Sequence, residues 1–259
     1  MLRVIHEMDG LLEAPRSASD GSILFVNVGA GGVFELRDGA VGTVLPARRG
    51  IGGLAHHADG GLLITGRDVI AYDGKSDPVT VLSVPGSTGY NDVTVDQDGA
   101  LLVGVLRHRP SRGEPAVPSE VLRLDASGEI TTIASDLLWP NGIGHSPDGR
   151  TIYISEYAAG RIRAVRDGRS DVFATAPRGE CDGLAVDVEG GVWVALGSGG
   201  GIARFHPDGT LDEIIDIPDV FVSSVAFADT TMVVTTAGAL LSGTAGIAGL
   251  PIPAARVPY

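Results

Sequence analysis

Val93-Thr94-Val95-Asp96-Gln97-Asp98-Gly99-Ala100-Leu101-Leu102-Val103 is the stretch whose reading decides the fold. A β-rich run enters an acidic turn closed by glycine, and a second apolar run leaves it, as in a strand-hairpin-strand unit. The same phrase occurs six times. Its turn acids are Asp20, Asp59, Asp98, Asp148, Glu189 and Asp229, each followed by Gly except the last, which precedes Thr230. Their separations are 39, 39, 50, 41 and 40 residues. Periods near 40 with several short strands per unit indicate a β-propeller with one repeat per blade. The expectation is an all-β chain, a six-bladed β-propeller with blades of about four antiparallel strands around a central channel. Because the repeats cover nearly all of the chain, residues 1–259 are expected to form a single domain.

The outgoing strands, such as Leu62-Leu63-Ile64-Thr65 and Val192-Trp193-Val194, are β-branched and aromatic. Most repeats continue to a further strand and a second turn, as in Val33-Phe34-Glu35-Leu36 before Asp38-Gly39. The sixth repeat is the weakest copy, and its outer part is the glycine-rich stretch 239–251. An open edge there would be a liability, so Arg3–Ile5 is expected to pair with it and close the ring. The extra residues of the long period fall in 107–119, RHRPSRGEPAVPS, whose prolines and charges predict a loop. Two readings stay open for it, a lid over the channel and a solvated excursion.

Composition narrows the partners. With 44% hydrophobic and 20% charged residues the chain can fill a core. A net charge of −13 opposes binding to nucleic acid or to an anionic membrane. Cys181 is the sole cysteine, which excludes an intrachain disulfide and fits a reducing compartment. The start, MLRVIHEMDG, has charges where a signal peptide needs a continuous apolar core, and nowhere do 18 apolar residues run together. A cytoplasmic protein is the expectation. Oligomeric state is not encoded in any of these features.

Seven residues before the turn acids lie Glu13, Gly52, Asn91, Asn141, Asp182 and Val222. Repeat equivalence places them at one height, where the first strand of each blade begins and lines the channel. Four of the six carry side-chain oxygens, and two of the chain's three asparagines are among them. Two carboxylates and two amide carbonyls form a hard-oxygen set that suits Ca²⁺ first and Mg²⁺ or Mn²⁺ next. Zn²⁺ ranks behind them because it prefers nitrogen and sulfur ligands. The same residue types also cap strands by accepting turn amides, and the column by itself leaves that alternative open.

Leu12-Glu13-Ala14-Pro15-Arg16, Tyr90-Asn91-Asp92, Trp139-Pro140-Asn141-Gly142-Ile143 with Ser146-Pro147-Asp148-Gly149, and Asp182-Gly183-Leu184-Ala185-Val186-Asp187 together resemble the SMP-30/gluconolactonase family. Gly191–Ala195, Arg204–Gly209 and Gly249-Leu250-Pro251 extend the resemblance over the whole chain. The resemblance implies a six-bladed propeller with one catalytic divalent ion, commonly a lactone hydrolase. It also implies metal-ligand roles for Glu13, Asn141 and Asp182, with Asn91 as the fourth residue near metal and substrate. The implied chemistry is hydrolysis of a cyclic ester, with the ion polarising the carbonyl and Asp182 as candidate general base.

Departures from the family pattern bear on the substrate. Gly89 stands where sugar-lactone hydrolases of the family often have Arg, Ala14 replaces a usual Gly, and Cys181 replaces a usual Pro. These changes leave Tyr90, Trp139 and Cys181 as the expected pocket rim and point away from a highly hydroxylated sugar lactone. His145 is a further candidate for substrate contact, although His56, His57 and His145 all suit structural or channel-lining positions better than ligation. Cys181 as nucleophile is disfavoured because no partner His can be placed beside it. Glu156 and Asn27 end outgoing strands and read as turn caps. Two rival functions remain: an isomerase, cyclase or lyase acting on a small carbonyl metabolite, and a non-catalytic metal-stabilised binding scaffold.

Overall fold

The structure is a computed structural model that describes residues 1–18, 20–218 and 220–259. The first repeat contributes β1 (Arg3–Ser17), β2 (Ile23–Asn27), β3 (Gly32–Arg37) and β4 (Ala40–Leu45). The second contributes β5 (Leu54–His56), β6 (Leu62–Ile64), β7 (Val69–Tyr72) and β8 (Val79–Leu82). From the third come β9 (Gly89–Val95), β10 (Leu101–Leu106), β11 (Pro118–Leu124) and β12 (Ile130–Leu138). The fourth has β13 (Pro140–His145), β14 (Ile152–Glu156), β15 (Arg161–Arg166) and β16 (Arg169–Thr175). The fifth has β17 (Leu184–Val186), β18 (Val192–Ala195), β19 (Gly201–Phe205) and β20 (Leu211–Asp216), and the last has β21 (Val222–Ala228) and β22 (Thr231–Thr244).

These strands form an all-β propeller whose sheets number five, not the six blades expected. The cause is β1, a single strand of 15 residues. Its first part, Arg3 to Leu11, pairs with β22, and its second, Leu12 to Ser17, pairs with β2. The first and last repeats therefore share one six-stranded sheet in the order β21-β22-β1-β2-β3-β4, while the other four repeats are four-stranded. The pairing expected of Arg3–Ile5 is present and runs further than expected.

Sequence pattern follows position in the sheet. Middle strands such as β10 and β18 are covered on both faces by neighbouring sheets and are apolar almost throughout. Outer strands such as β20 carry Asp and Glu and are largely exposed. The core lies between adjacent sheets: Ala55 and Leu63 of the second repeat pack with Tyr90, Val93 and Val103 of the third. Within the 107–119 stretch, Pro110–Arg112 form one 3-10 turn, and Pro118 and Ser119 already belong to β11. Proline is tolerated as the first residue of a strand, where no ladder donor is required. The loop leaves β10 where Leu106 pairs with Gly89, so it stands at the end of the propeller where β9 begins.

The opposite end is crossed by residues 250–259. Leu250 N donates to Val186 O at 2.7 Å, Ala255 N to His56 O at 2.8 Å, and Arg256 N to Gly99 O at 2.8 Å. Ala255 and Val257 are buried against the second and third repeats, and His57 Nε2 lies 2.9 Å from Val257 O. Among the described residues no helix is long and apolar enough to cross a membrane.

Candidate active site

The chain is irregular where the oxygen-bearing column sits. Pairing registers shift between Glu13 and Arg16, between Tyr90 and Val93, between Pro140 and Ile143, and between Val222 and Ser224. Each is a β-bulge at the start of an inner strand, a device that turns side chains away from their regular alternation. Ala14 and Trp139, beside these bulges, have φ of +49° and +60°. Left-handed backbone at non-glycine residues is strained and collects at functional sites.

Hydrogen bonds link the inner strands around this end. Asn91 Nδ2 donates to Pro140 O at 3.2 Å, Gly142 N to Asp182 O at 3.2 Å, and Gly183 N to Ser223 O at 2.9 Å. Ser223 Oγ then donates to Leu12 O. Such close approach needs bare backbone: a Cβ on Gly142 would lie 2.2 Å from Leu184 N, and one on Gly183 would lie 2.1 Å from Ser224 Oγ.

Within the column, Asn141 and Asp182 are in direct contact, the charge of Glu13 acts on Asp182, and Asn91 is tied to the backbone beside Asn141. Asn141 Nδ2 donates to Asp182 Oδ1, and both residues are buried. Burial first, then the charges of Glu13 and Asp92, hold the Asp182 carboxyl well above the usual carboxylate range. Glu13 is pushed up to about 8 by burial and by the charge of Asp92. Neither Glu13 nor Asp182 has an Arg, Lys or His partner among the described residues. The other two column positions are filled rather than open. A Cβ on Gly52 would meet Asn91 Oδ1 at 2.9 Å, and Val222 is buried in the apolar core.

This donor set fits a hard divalent cation. Beyond burial, the charge of Glu13 raises the proton affinity of Asp182, and that of Asp92 raises both, as expected of carboxylates lacking a counter-charge. Both amides donate through nitrogen to protein acceptors, which leaves their carbonyl oxygens for other partners. No three His, Cys, Asp or Glu side chains converge as a metal site among the described residues, so the amide oxygens have to complete the ligand set.

The predicted pocket rim is only partly present. Trp139 is half-buried at the mouth, its ring 4.5 Å from Tyr157 and 5.1 Å from His108. Tyr90 is not at the rim: it is buried in the core between the second and third repeats, where its hydroxyl accepts from Val84 N at 2.7 Å. Cys181 is likewise a core residue, and burial pushes its thiol up to about 12, which suits neither substrate contact nor nucleophilic attack. His145 ends β13, four residues beyond Asn141 and about 13 Å along the strand. There it is buried, with Nδ1 3.1 Å from Ser146 O, away from the column. Asn27 caps a turn by accepting from Ala30 N, and Glu156 is buried in an ion pair with Arg161.

Sequence reading missed four groups. Asp92 meets Arg16 across the ring at 3.4 Å, and burial raises its pKa against the lowering pull of that guanidinium. Burial, followed by the charges of Asp182, Glu180 and Glu13, raises the Tyr157 phenol, which places its hydroxyl within their field. His108, from the inserted loop, is buried with no partner for either ring nitrogen among the described residues. Asp92 was legible as the neighbour of Asn91, but the others come from different repeats with no shared phase.

Residues 11–238 match the sequence profile of the SMP-30/Gluconolactonase/LRE-like region. The chain belongs to the SMP-30/gluconolactonase/LRE-like family. It is 30% identical over 212 residues to the pentonolactonase XacC of Haloferax volcanii, covering 76% of this chain and 70% of that protein. It is 28% identical over 242 residues to a 6-deoxy-6-sulfogluconolactonase of Pseudomonas putida, covering 86% and 81%. Among solved structures, the gluconolactonase XC5397 of Xanthomonas campestris superimposes with a TM-score of 0.81 at 27% identity, covering 97% of this chain and 89% of that one.

Proposed function

We propose that this protein is a divalent-cation-dependent hydrolase that opens a lactone ring. What supports the reading is that Asp182 contacts Asn141 and lies in the field of Glu13, with no cationic side chain paired to either carboxylate among the described residues. The names of the relatives, lactonases in each case, support the same reaction class. The donors are all oxygen, which favours Ca²⁺ over Mg²⁺ and Mn²⁺, with Zn²⁺ last. A cation held by these four residues would polarise the lactone carbonyl and stabilise the negative charge that develops on its oxygen.

Asp182 is assigned as general base. Asn141 fixes one of its oxygens by donating to Oδ1, which leaves Oδ2 to take the proton of an attacking water. Its proton affinity would fall beside a bound cation, so the proton has to be taken by the carboxylate oxygen that does not ligate the cation. Glu13 and Asn91 would complete the oxygen ligand set of the cation. Trp139 and Tyr157 wall the mouth and exclude water from part of it.

A lactone with few hydroxyls remains the proposed substrate class. Its basis is now narrower, because Tyr90 and Cys181 are core residues. What supports it is Gly89, buried and without a side chain to clamp sugar hydroxyls, and the His108–Trp139–Tyr157 row at the mouth. The test is a panel of alkyl γ-lactones and aldonolactones assayed with and without chelator, alongside Asp182→Ala. Chelator-sensitive turnover that Asp182→Ala abolishes is the expected result. Gluconolactone turned over as well as the alkyl lactones would overturn the substrate class. A folded, cation-binding protein inactive on every lactone would overturn the hydrolase.

A further inference from the structure

Between the first and second repeats lies a cavity of about 380 Å³ lined by Arg48, Arg49, Arg67 and Asp68 over an apolar floor that includes Leu45 and Ile70. Three guanidinium groups around one cavity stand out in a chain whose net charge is −13. Arg48 is built into the wall. Its backbone N–H donates to Gly31 O, its Nε donates to Thr65 O at 3.1 Å, and one Nη donates to Asp68 O at 2.6 Å and to the Asp68 carboxylate. Gly66 makes room for it, since a Cβ there would lie 2.6 Å from Arg48 Nε. Among the described residues Asp68 is the one carboxylate lining the cavity, and it is already engaged by Arg48 on Oδ1 and by Thr80 Oγ1, 3.1 Å away, on Oδ2. Arg49 and Arg67 are exposed, and neither has a carboxylate within ion-pair distance among the described residues. The cavity therefore carries two uncompensated positive charges held beside a rigid wall.

We propose that this cavity is an oxyanion site that takes a phosphate or carboxylate group of a small metabolite, with Arg49 and Arg67 as the charged ligands. Guanidinium groups match such oxygens in shape and form charge-assisted, bidentate hydrogen bonds to them. The volume falls in the range of small-molecule sites. Both the 48–53 segment and Gly66 connect the cavity to the catalytic end. Arg49 is three residues from Gly52 and so no more than about 11 Å from it along the chain, and Gly66 O accepts from Tyr90 N at 2.8 Å. The anion could thus belong to a separate effector or to the far end of the substrate, and the second source rests on the lactonase reading.

The first arm of the test is calorimetric titration of the whole protein with inorganic phosphate at low salt. Saturable binding is expected, weakened about tenfold or more in the double variant Arg49→Ala/Arg67→Ala and unchanged in Asp182→Asn. Both arginines are exposed, so the double variant should melt as the parent does, and Arg49→Lys/Arg67→Lys should recover part of the binding. Absence of saturable binding, or binding equal in parent and double variant, overturns the site. The second arm compares turnover of a γ-lactone bearing a carboxymethyl group with turnover of its uncharged methyl ester. A rise in KM for the acid alone in the double variant assigns the anion to the substrate. Unchanged kinetics with phosphate binding retained by the parent assigns it to a separate ligand. Because phosphate titration needs no turnover, a failed hydrolase assay would leave the anion site standing.

Discussion

Asp182 and Asp187 lie five residues apart at the two ends of one short inner strand, both buried, in opposite electrical surroundings. Asp187 is saturated with donors. It accepts from Gly191 N and Glu189 N at 2.8 and 3.0 Å, from Trp193 Nε1 at 2.8 Å, and from Arg204 Nε and Nη2 at 2.9 and 2.8 Å. Arg204 in turn stacks over Trp193 at 5.5 Å and pairs with Asp212. Among the described residues Asp182 has one protein donor, Asn141, and three acidic neighbours, Glu13, Asp92 and Glu180. The same residue type is thus a structural tie at one end of the strand and, at the other, a carboxylate poor in donors that we propose as the reactive group. What differs is the donor count, because burying a carboxylate is tolerable only when hydrogen bonds or an opposite charge offset lost hydration.

The comparison breaks or holds first under parallel substitution. Asp182→Asn should lower kcat by a factor of about 10² to 10⁴, the usual contribution of a general base, while leaving the cation-free protein as stable as the parent or more so. Asp187→Asn should instead cost about 3–5 kcal/mol of stability in urea unfolding, because Arg204, Trp193 and the turn amides lose their buried charged acceptor even though Arg204 keeps Asp212. Per folded molecule its activity should be unchanged. The reverse pattern would mean that the two ends have been assigned the wrong way round.

Removal of residues 251–259 tests the closed end more gently. It deletes the buried Ala255 and Val257 and uncovers the residues of the second and third repeats packed against them, for an expected loss of about 3 kcal/mol, with lactone turnover at 25 °C retained. A truncated protein as stable as the parent would show that the tail only rests on the base.

Titration sharpens the open end. The Glu13 carboxyl is raised from 4.5 to about 8 in the folded chain, so between those values the folded state holds more protons than the unfolded one. Stability of the cation-free protein should therefore be greatest below about pH 4.5 as far as this group is concerned, and should fall as pH rises towards 8. Added Ca²⁺ should raise the melting temperature by several degrees at pH 8 and by less at pH 5, where protons compete for the carboxylates. An equal shift at both pH values would argue against binding through Glu13.

The smallest effect concerns strain. Ala14→Gly should change stability by no more than about 1 kcal/mol, since relief of the left-handed backbone offsets the lost methyl and the greater freedom of the unfolded chain. Ala14→Val, β-branched in a left-handed position, should unfold at clearly lower denaturant.

The column of Glu13, Asn91, Asn141 and Asp182 was readable because a repeat converts equal phase into equal position, so residues up to 169 positions apart meet without any contact being known. Orientation was not readable in the same way. Tyr90 and Cys181 sit beside column residues and each turns into the core, since immediate neighbours take opposite directions in extended chain. Arg16 with Asp92, and Tyr157 with Glu180, bear on the site from different phases of different repeats, which periodicity cannot pair.

By itself the sequence determined the propeller, the height of the site and the chemistry of its donors, since turn acids and strand composition act over a few residues. Only the tertiary structure decided that the ring closes through one continuous β1, giving five sheets from six repeats. It also decided which carboxylates lie unpaired, and that three arginines of neighbouring repeats share a cavity. Those outcomes depend on distances between segments remote in the chain, which local propensity does not set.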